Sequence, residues 1–343
     1  MAALLRVQRA KRKVFLISLL SIAVLTIVFF LALIIGRYSI SLESFWGVIT
    51  GNNSVNNVDK SVILTLRLPR TIVALLVGIA LSLSGLVYQE IFQNKLVSPD
   101  FLGVSTGAGF GATIGIILGC TGILISFTAF AFGILTMLIT VFVANIFKSK
   151  SQTTLLLSGI IVGGFMSAGI SFVKFMADTD KQLGEIVYWL LGTFSKATMK
   201  DVWVLLPIVA ICSLALFLIR WRINIVALGR NEATTLGLNY TFYRGLIIVI
   251  STLLTAAAVA YSGIVGWIGL IIPHLVRLLV GRDAKKTIPL TILFGATFTI
   301  ICDIISRSFT ASEIPLSAVT GFLGTPIFVA ILYARRQTIY DKV

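Results

Sequence analysis

Arg67 and Arg70, separated only by Leu68-Pro69, have the type and spacing best suited to chemistry in this chain, and Arg307 is a third arginine beyond an apolar run. A guanidinium presents a planar fork that matches a carboxylate, and a proline between two of them stiffens the presentation. That chemistry is recognition of an acidic partner; lipid-facing anchoring is the plainer alternative. Little else in the sequence is chemically armed. His274 is the only histidine, and one histidine cannot assemble a metal site. It is expected to hydrogen-bond a neighbour at a helix end rather than to relay protons. Cys120, Cys212 and Cys302 sit in apolar runs with no CxxC pair, which reads as small hydrophobes. No Ser/His/Asp, HExxH or paired-carboxylate arrangement occurs, and no GxxxxGK[ST] phosphate loop. The chain is therefore not expected to be an enzyme, to hold a metal, or to bind a cofactor of its own.

The elements that must position these residues follow from composition. Of 343 residues, 57% are hydrophobic and 12% charged, with mean hydropathy +1.03. A soluble domain carries roughly 25% charged residues, so no aqueous surface can be built here. An all-α polytopic membrane protein remains. A helix needs about 20 apolar residues to cross the hydrocarbon. Val14–Ile35 gives the first span; its apolar stretch exceeds a signal peptide's roughly 7–15 residues and no cleavage site follows, so it reads as uncleaved. Thr71–Tyr88 gives the second. Phe101–Phe147 is uncharged and too long for one crossing, so it must fold back as spans three and four. Ser151–Val173 and Val202–Ile219 follow. Arg244 to Arg277 needs two crossings with a break near Ser262-Gly263, and Ile288–Ser306 and Phe322–Ala334 complete ten. Short outer helices are expected before spans six and ten.

An even count places both termini on one side. With the N-terminus in the cytoplasm, 19 of the 28 Lys and Arg fall inside and nine outside, satisfying the positive-inside rule. The net charge of +15 thus reads as topology, not as a nucleic-acid surface. One domain spans 1–343, with cytoplasmic pieces at 1–13, 224–239 and 335–343.

No ionisable residue is expected near any bilayer midplane, which disfavours an autonomous ion-coupled carrier. Any uphill transport must draw its energy from another subunit. Small residues take the place of charges. Gly103, Gly107, Gly111, Gly115 and Gly119 recur every four positions, a stripe that favours helix packing over lining a pathway or subunit seam. Two polar segments interrupt the spans on the cytoplasmic side. In 220–244, Ile225, Leu228, Ala233 and Leu236 could form an apolar face opposite Arg230, Asn231 and Glu232. Such a helix either lies at the interface or docks into a partner's groove. The loop Gln89–Asp100 leads straight into Leu102-Gly103.

These pieces together resemble the FecCD family of ATP-binding-cassette importer permeases. The resemblance runs through Arg67-Leu-Pro-Arg70 and through Gln89, Asn94 and Ser98-Pro-Asp-Phe-Leu-Gly-Val-Ser105-Thr-Gly-Ala108. It continues through Ala227-Leu-Gly229, Leu236-Gly-Leu238, Gly263, Gly266, Gly269-Leu270, Pro273-His274 and Arg277. Asp303, Arg307, Glu313, Pro315, Thr320, Leu323-Gly324 and Pro326 close it. One departure is Lys95, where the family usually has proline between Asn94 and Leu96; a fixed φ is lost and a backbone N–H regained.

The resemblance implies import of iron chelates, ferric siderophore or haem, with cobalamin as the alternative, across a bacterial cytoplasmic membrane. It implies a second permease subunit, two cytoplasmic ATPases carrying the ATP and Mg, and an extracytoplasmic substrate-binding lipoprotein. Arg67, Arg70 and Arg307 match arginines that pair with the binding protein. The 224–239 segment, with Ala227, Leu228, Gly229, Arg230, Glu232, Leu236 and Gly237, matches the coupling helix on the ATPase. Asn94, Leu96, Gln152 and Thr153 match the cytoplasmic gate. Hydroxyls at Ser82, Ser84, Ser105 and Thr106 would either line the pathway or serve packing.

Overall fold

The computed structural model describes residues 2–51, 56–147, 151–310 and 312–334, the side chains of 2–10 and 334 excepted. The tail 335–343, Lys148 and Lys150 lie outside the described residues. Among the described residues every regular element is helical. Helix α1 (Ala2–Ile34) is followed by α2 (Leu42–Thr50) and α3 (Asn57–Ser61), and a π-helical stretch, Val62–Arg67, feeds α4 (Leu68–Ile91). A 3₁₀ turn, Pro99–Leu102, precedes α5 (Val104–Ile117), α6 (Ile123–Ile146), α7 (Gln152–Met176) and α8 (Gln182–Leu191). Next come α9 (Met199–Leu218), α10 (Arg220–Val226), α11 (Arg230–Thr235) and α12 (Tyr240–Ser262). Helices α13 (Ile268–Val280), α14 (Ala284–Ser308) and α15 (Leu316–Ala334) complete the chain.

Among the described residues, eight helices are long and apolar enough to cross a membrane. The other two expected spans coincide with α5 and α13, which are only 14 and 13 residues long. At about 1.5 Å per residue each reaches about 20 Å, short of the roughly 30 Å hydrocarbon core. The chain breaks around them as glycine permits: Gly103 (φ 75) starts α5, and Gly263 (φ 69) ends α12 beside the predicted Ser262. Helix α1 begins at Ala2 and runs without a break through residues 2–13 into the first apolar segment. The short helix expected before span six is α8; none is described before span ten, where 312–315 enters α15 directly. Helix α2 was not foreseen. It is set by the Ser41 cap on the Ser44 N–H and by Gly51 in the left-handed region (φ 71).

Helix α4 is the centre of the bundle: 83% of the apolar stretch of its continuous run, Asn57–Ile91, is buried, against none of that of α1. Hydrophobic side chains line it on every side, the pattern of a helix enclosed by others. It packs on α12, α13 and α14. Two glycine pairs set the distances. A Cβ on Gly85 would overlap the Gly269 backbone of α13, and one on Gly78 would overlap Gly295 of α14. Hydroxyls tie the same seams: Ser82 Oγ donates to Thr291 O at 3.1 Å, Ser84 and Thr255 hydroxyls meet at 2.7 Å, and Tyr88 and Thr252 at 3.0 Å. Ser82 and Ser84 are thus packing groups within this chain; Ser105 turns to Asp100, and Thr106 to Gly103 O.

The glycine stripe resolves in the same way. Gly107, Gly111 and Gly115 face Thr136, Phe132 and Thr128 of α6, so the stripe is an α5–α6 packing seam. Gly103 and Gly119 (φ 73) do not belong to it, because they lie beyond the helix ends in left-handed backbone.

Candidate functional site

Two clusters of buried charge lie near the two ends of α4, around Arg70 and Glu90, about 30 Å apart at the helical rise. Its first turns carry Arg70. The Arg70 Nε donates to Asp303 Oδ1 of α14 at 2.7 Å, and its two Nη groups form a fork with Glu313 at 2.6 and 3.1 Å. Arg307 lies one helical turn from Asp303, with Nε 3.5 Å from Oδ2. Among the described residues, Arg67 takes no carboxylate. Its Nη1 donates to Leu33 O (3.0 Å) and Ile34 O, and its Nη2 to Tyr38 O; Arg307 likewise donates to Ala32 O. The carbonyls of Ala32, Leu33 and Ile34 end α1, where the last turn lacks intrahelical donors and carries the negative end of the helix dipole. Two arginines therefore pin the end of α1 to the bundle.

Arg67, Arg70 and Arg307, expected to pair with a binding protein, make bonds within this chain. The three are 5%, 7% and 6% exposed. A buried guanidinium must be paired, and here the partners come from the chain itself. Pro69 does not hold the two arginines rigidly outward. It has no N–H to give Thr65 O, and the preceding turn widens to the π-helical Val62–Arg67. Glu313 is the more open member of the cluster and also receives the Thr193 hydroxyl at 3.5 Å. Asp303 and Glu313 were not read as site residues. The four-residue spacing of Asp303 and Arg307 was the available signal; the link to residue 70 was not visible in sequence.

At the far end of α4, Arg277 of α13 pairs with Glu90 at 3.1 Å and donates to Gln89 Oε1. Gln89 Nε2 in turn donates to Val97 O and Gly269 O, each at 3.2 Å, so one buried amide holds α13 and the loop after α4. The His274 Nδ1 lies 2.8 Å from Leu270 O, and its ring packs edge-on against Phe328.

The 224–239 segment is not one helix. Helices α10 and α11 are separated at Leu228-Gly229, where Gly229 takes φ 111. The predicted apolar face is divided as a result. Of its four residues Ala233 is buried and Ile225 half-buried, whereas Leu228 (54%) and Leu236 (61%) are exposed beside Arg230 and Glu232. Ala227 O receives the Gln93 amide, and Gly237 (φ 74) ends α11. Asn224 fastens the segment to α14 by donating to Asp283 Oδ1 (2.9 Å) and accepting the Ala284 N–H (2.8 Å).

The gate residues fall in two places. Asn94 and Leu96 share the loop after α4, where Asn94 Oδ1 caps the Leu96 N–H at 2.9 Å. Gln152 and Thr153 begin α7; Gln152 Nε2 reaches the Tyr240 hydroxyl at 3.2 Å, and Ser151 caps the Thr153 N–H. Among the described residues, the hydrogen bonds of the two pairs lead to different neighbours, not to each other. Among the described residues, no group of three His, Cys, Asp or Glu could hold a metal ion.

The Asn224–Asp283 junction carries a pH prediction. Burial raises the Asp283 pKa, but the Asn224 amide, the Lys285 N–H and the Lys286 and Lys285 charges outweigh it, so the pKa lies below its ordinary value. A depressed folded-state pKa contributes stability above the unfolded value and loses it as pH falls below about 3.9. Thermal unfolding followed from pH 5 to pH 3 should show a drop in midpoint that is smaller in Asp283→Asn, which keeps a helix cap without titrating.

Among the described residues, eight helices of membrane-spanning length and composition in an all-helical bundle are the architecture of a polytopic membrane protein. Residues 24–334 match the model of the FecCD transport family. The chain is 38% identical over 309 residues to the molybdate import system permease protein MolB of Haemophilus influenzae, covering 88% of this chain and 91% of that one. It is 37% identical over 310 residues to a probable iron chelatin transport system permease protein of Helicobacter pylori, covering 89% and 94%. A solved inward-facing metal-chelate-type ABC transporter superposes with TM-score 0.84 at 36% identity, covering 93% of this chain and 99% of that one. The chain belongs to the FecCD family and is an ABC importer permease.

Proposed function

We propose that this chain is the permease subunit of an importer for iron chelates, ferric siderophore or haem, handed over by an extracytoplasmic binding protein and driven by a separate pair of ATPases. The observation carrying the reading is the near-full-length match to an iron-chelatin permease and to a metal-chelate transporter. The ends of the bundle fit the roles. Helix α11, with Leu228 and Leu236 exposed beside Arg230 and Glu232, suits a cytoplasmic groove on an ATPase. The Arg70 cluster lies at the opposite end, where it would shape the docking face from beneath through Glu313 instead of contacting the binding protein itself. Both termini are cytoplasmic in this reading, and two copies or homologues enclose the pathway.

The likeness to a molybdate permease supports an oxyanion as the second reading. Proteoliposomes containing this chain, its ATPase subunits and its binding protein decide between them. ATP-dependent uptake is expected with ferric hydroxamate or haem as probe and not with molybdate or cobalamin; molybdate uptake alone sinks the chelate assignment. The chain without ATPase should concentrate none of these. Leu228→Asp with Leu236→Asp should reduce co-purification of the ATPase by about tenfold or more, since two charges replace apolar anchors. Normal co-purification would mean that α11 is not the contact.

A further inference from the structure

Gln93 stands between the α10–α11 connection and the loop expected to gate the pathway. It follows α4 at the position where helices usually end in a left-handed glycine, and it takes that backbone (φ 48) without being glycine. A side chain in this region is retained where the surroundings hold it. Here the holder is Ala227 O, which receives Gln93 Nε2 at 3.0 Å. Gly229 leaves room for the contact: a Cβ there would lie 3.2 Å from Gln93 Nε2 and 3.1 Å from Glu232 Oε2.

The loop beyond Gln93 is fastened at its other end. Val97 O is held by Gln89, which Arg277 clamps to α13. Pro99 packs on Gly269, and Asp100 accepts the Ser105 hydroxyl in the first turn of α5. A displacement of Ala227 therefore has a short mechanical route: through the Gln93 amide to the 93–98 loop, and from there to the start of α5.

We infer that Gln93 is a positioning residue that relays movement of the 227–236 segment to the loop carrying Asn94 and Leu96. The relay rests on the reading of 227–236 as the ATPase contact. Its chemistry requires only a donor at the end of the side chain, because the acceptor is a backbone carbonyl.

Hydrogen exchange of the intact complex, measured with and without a non-hydrolysable ATP analogue and Mg, tests this in segments. In the wild type, exchange in both 227–236 and 93–98 should change on nucleotide binding. In Gln93→Glu, which cannot donate, the change at 227–236 should persist while that at 93–98 falls by about fivefold. Gln93→Gly should behave like Gln93→Glu, although it relaxes the backbone and leaves the helix end more stable. Gln93→Lys, which can donate, should keep the response. If 227–236 responds and 93–98 still follows it in Gln93→Glu and Gln93→Gly, the relay is wrong and the ATPase contact stands. If 227–236 does not respond in the wild type, both fail.

Discussion

Arg70→Met should unfold this protein's arginine-rich end at a cost of about 3–5 kcal/mol, the range for removing one partner of a buried ion pair. The substitution deletes the Nε bond to a fully buried Asp303 and both arms of the Glu313 fork. Asp303 keeps Arg307 at 3.5 Å, but Glu313 is left with a hydroxyl at 3.5 Å. The same loss frees the connection between α14 and α15 from α4. The measurement is the thermal midpoint in detergent for three variants. Arg70→Met should fall furthest. Arg70→Lys should fall less, because one ammonium can satisfy a single carboxylate but not the fork geometry. Arg70→Met with Glu313→Gln should recover part of the loss, because the stranded charge is gone. A midpoint for Arg70→Met within a degree or two of the wild type would show that the cluster is solvated and contributes little.

Gly85→Val should be as damaging through shape alone. The added Cβ would overlap the Gly269 backbone, and no rotamer change can remove a main-chain obstacle. Overpacking a tight core costs about 1–3 kcal/mol, and this site should reach the upper end because two helices must part. Separation of α4 and α13 would also break the Gln89 bond to Gly269 O, coupling the packing defect to the inner ion pair. Gly164→Val, on an exposed face of α7 with no neighbour in reach, is the matched control. Equal yields and midpoints for the two variants would contradict the close approach of α4 to α13.

How much of this was legible before the fold was known depends on the range of each interaction. The ten apolar segments and the break at Ser262-Gly263 are local properties, set by hydropathy over one helix length and by glycine's access to positive φ. They were readable in sequence, as was the interruption of the spans by the polar 220–244 segment. The stripe was half readable. Four-residue spacing predicts a packing seam, but only the helix ends show that Gly103 and Gly119 fall outside it. The π-helical turn before Leu68 and the split at Gly229 were missed because both depend on backbone choices that composition does not specify.

The sequence by itself determined that this chain is a membrane-spanning helical bundle with charges kept to its ends, and its ordered series of motifs pointed to the family. The tertiary structure alone decided what the arginines do. Arg70 and Asp303 are 233 positions apart, and Arg70 and Glu313 are 243; no local periodicity encodes which buried cation finds which carboxylate. Desolvation forces each one to be paired, but only the packing of α4 against α14 chooses the partner, and it chose partners within the chain.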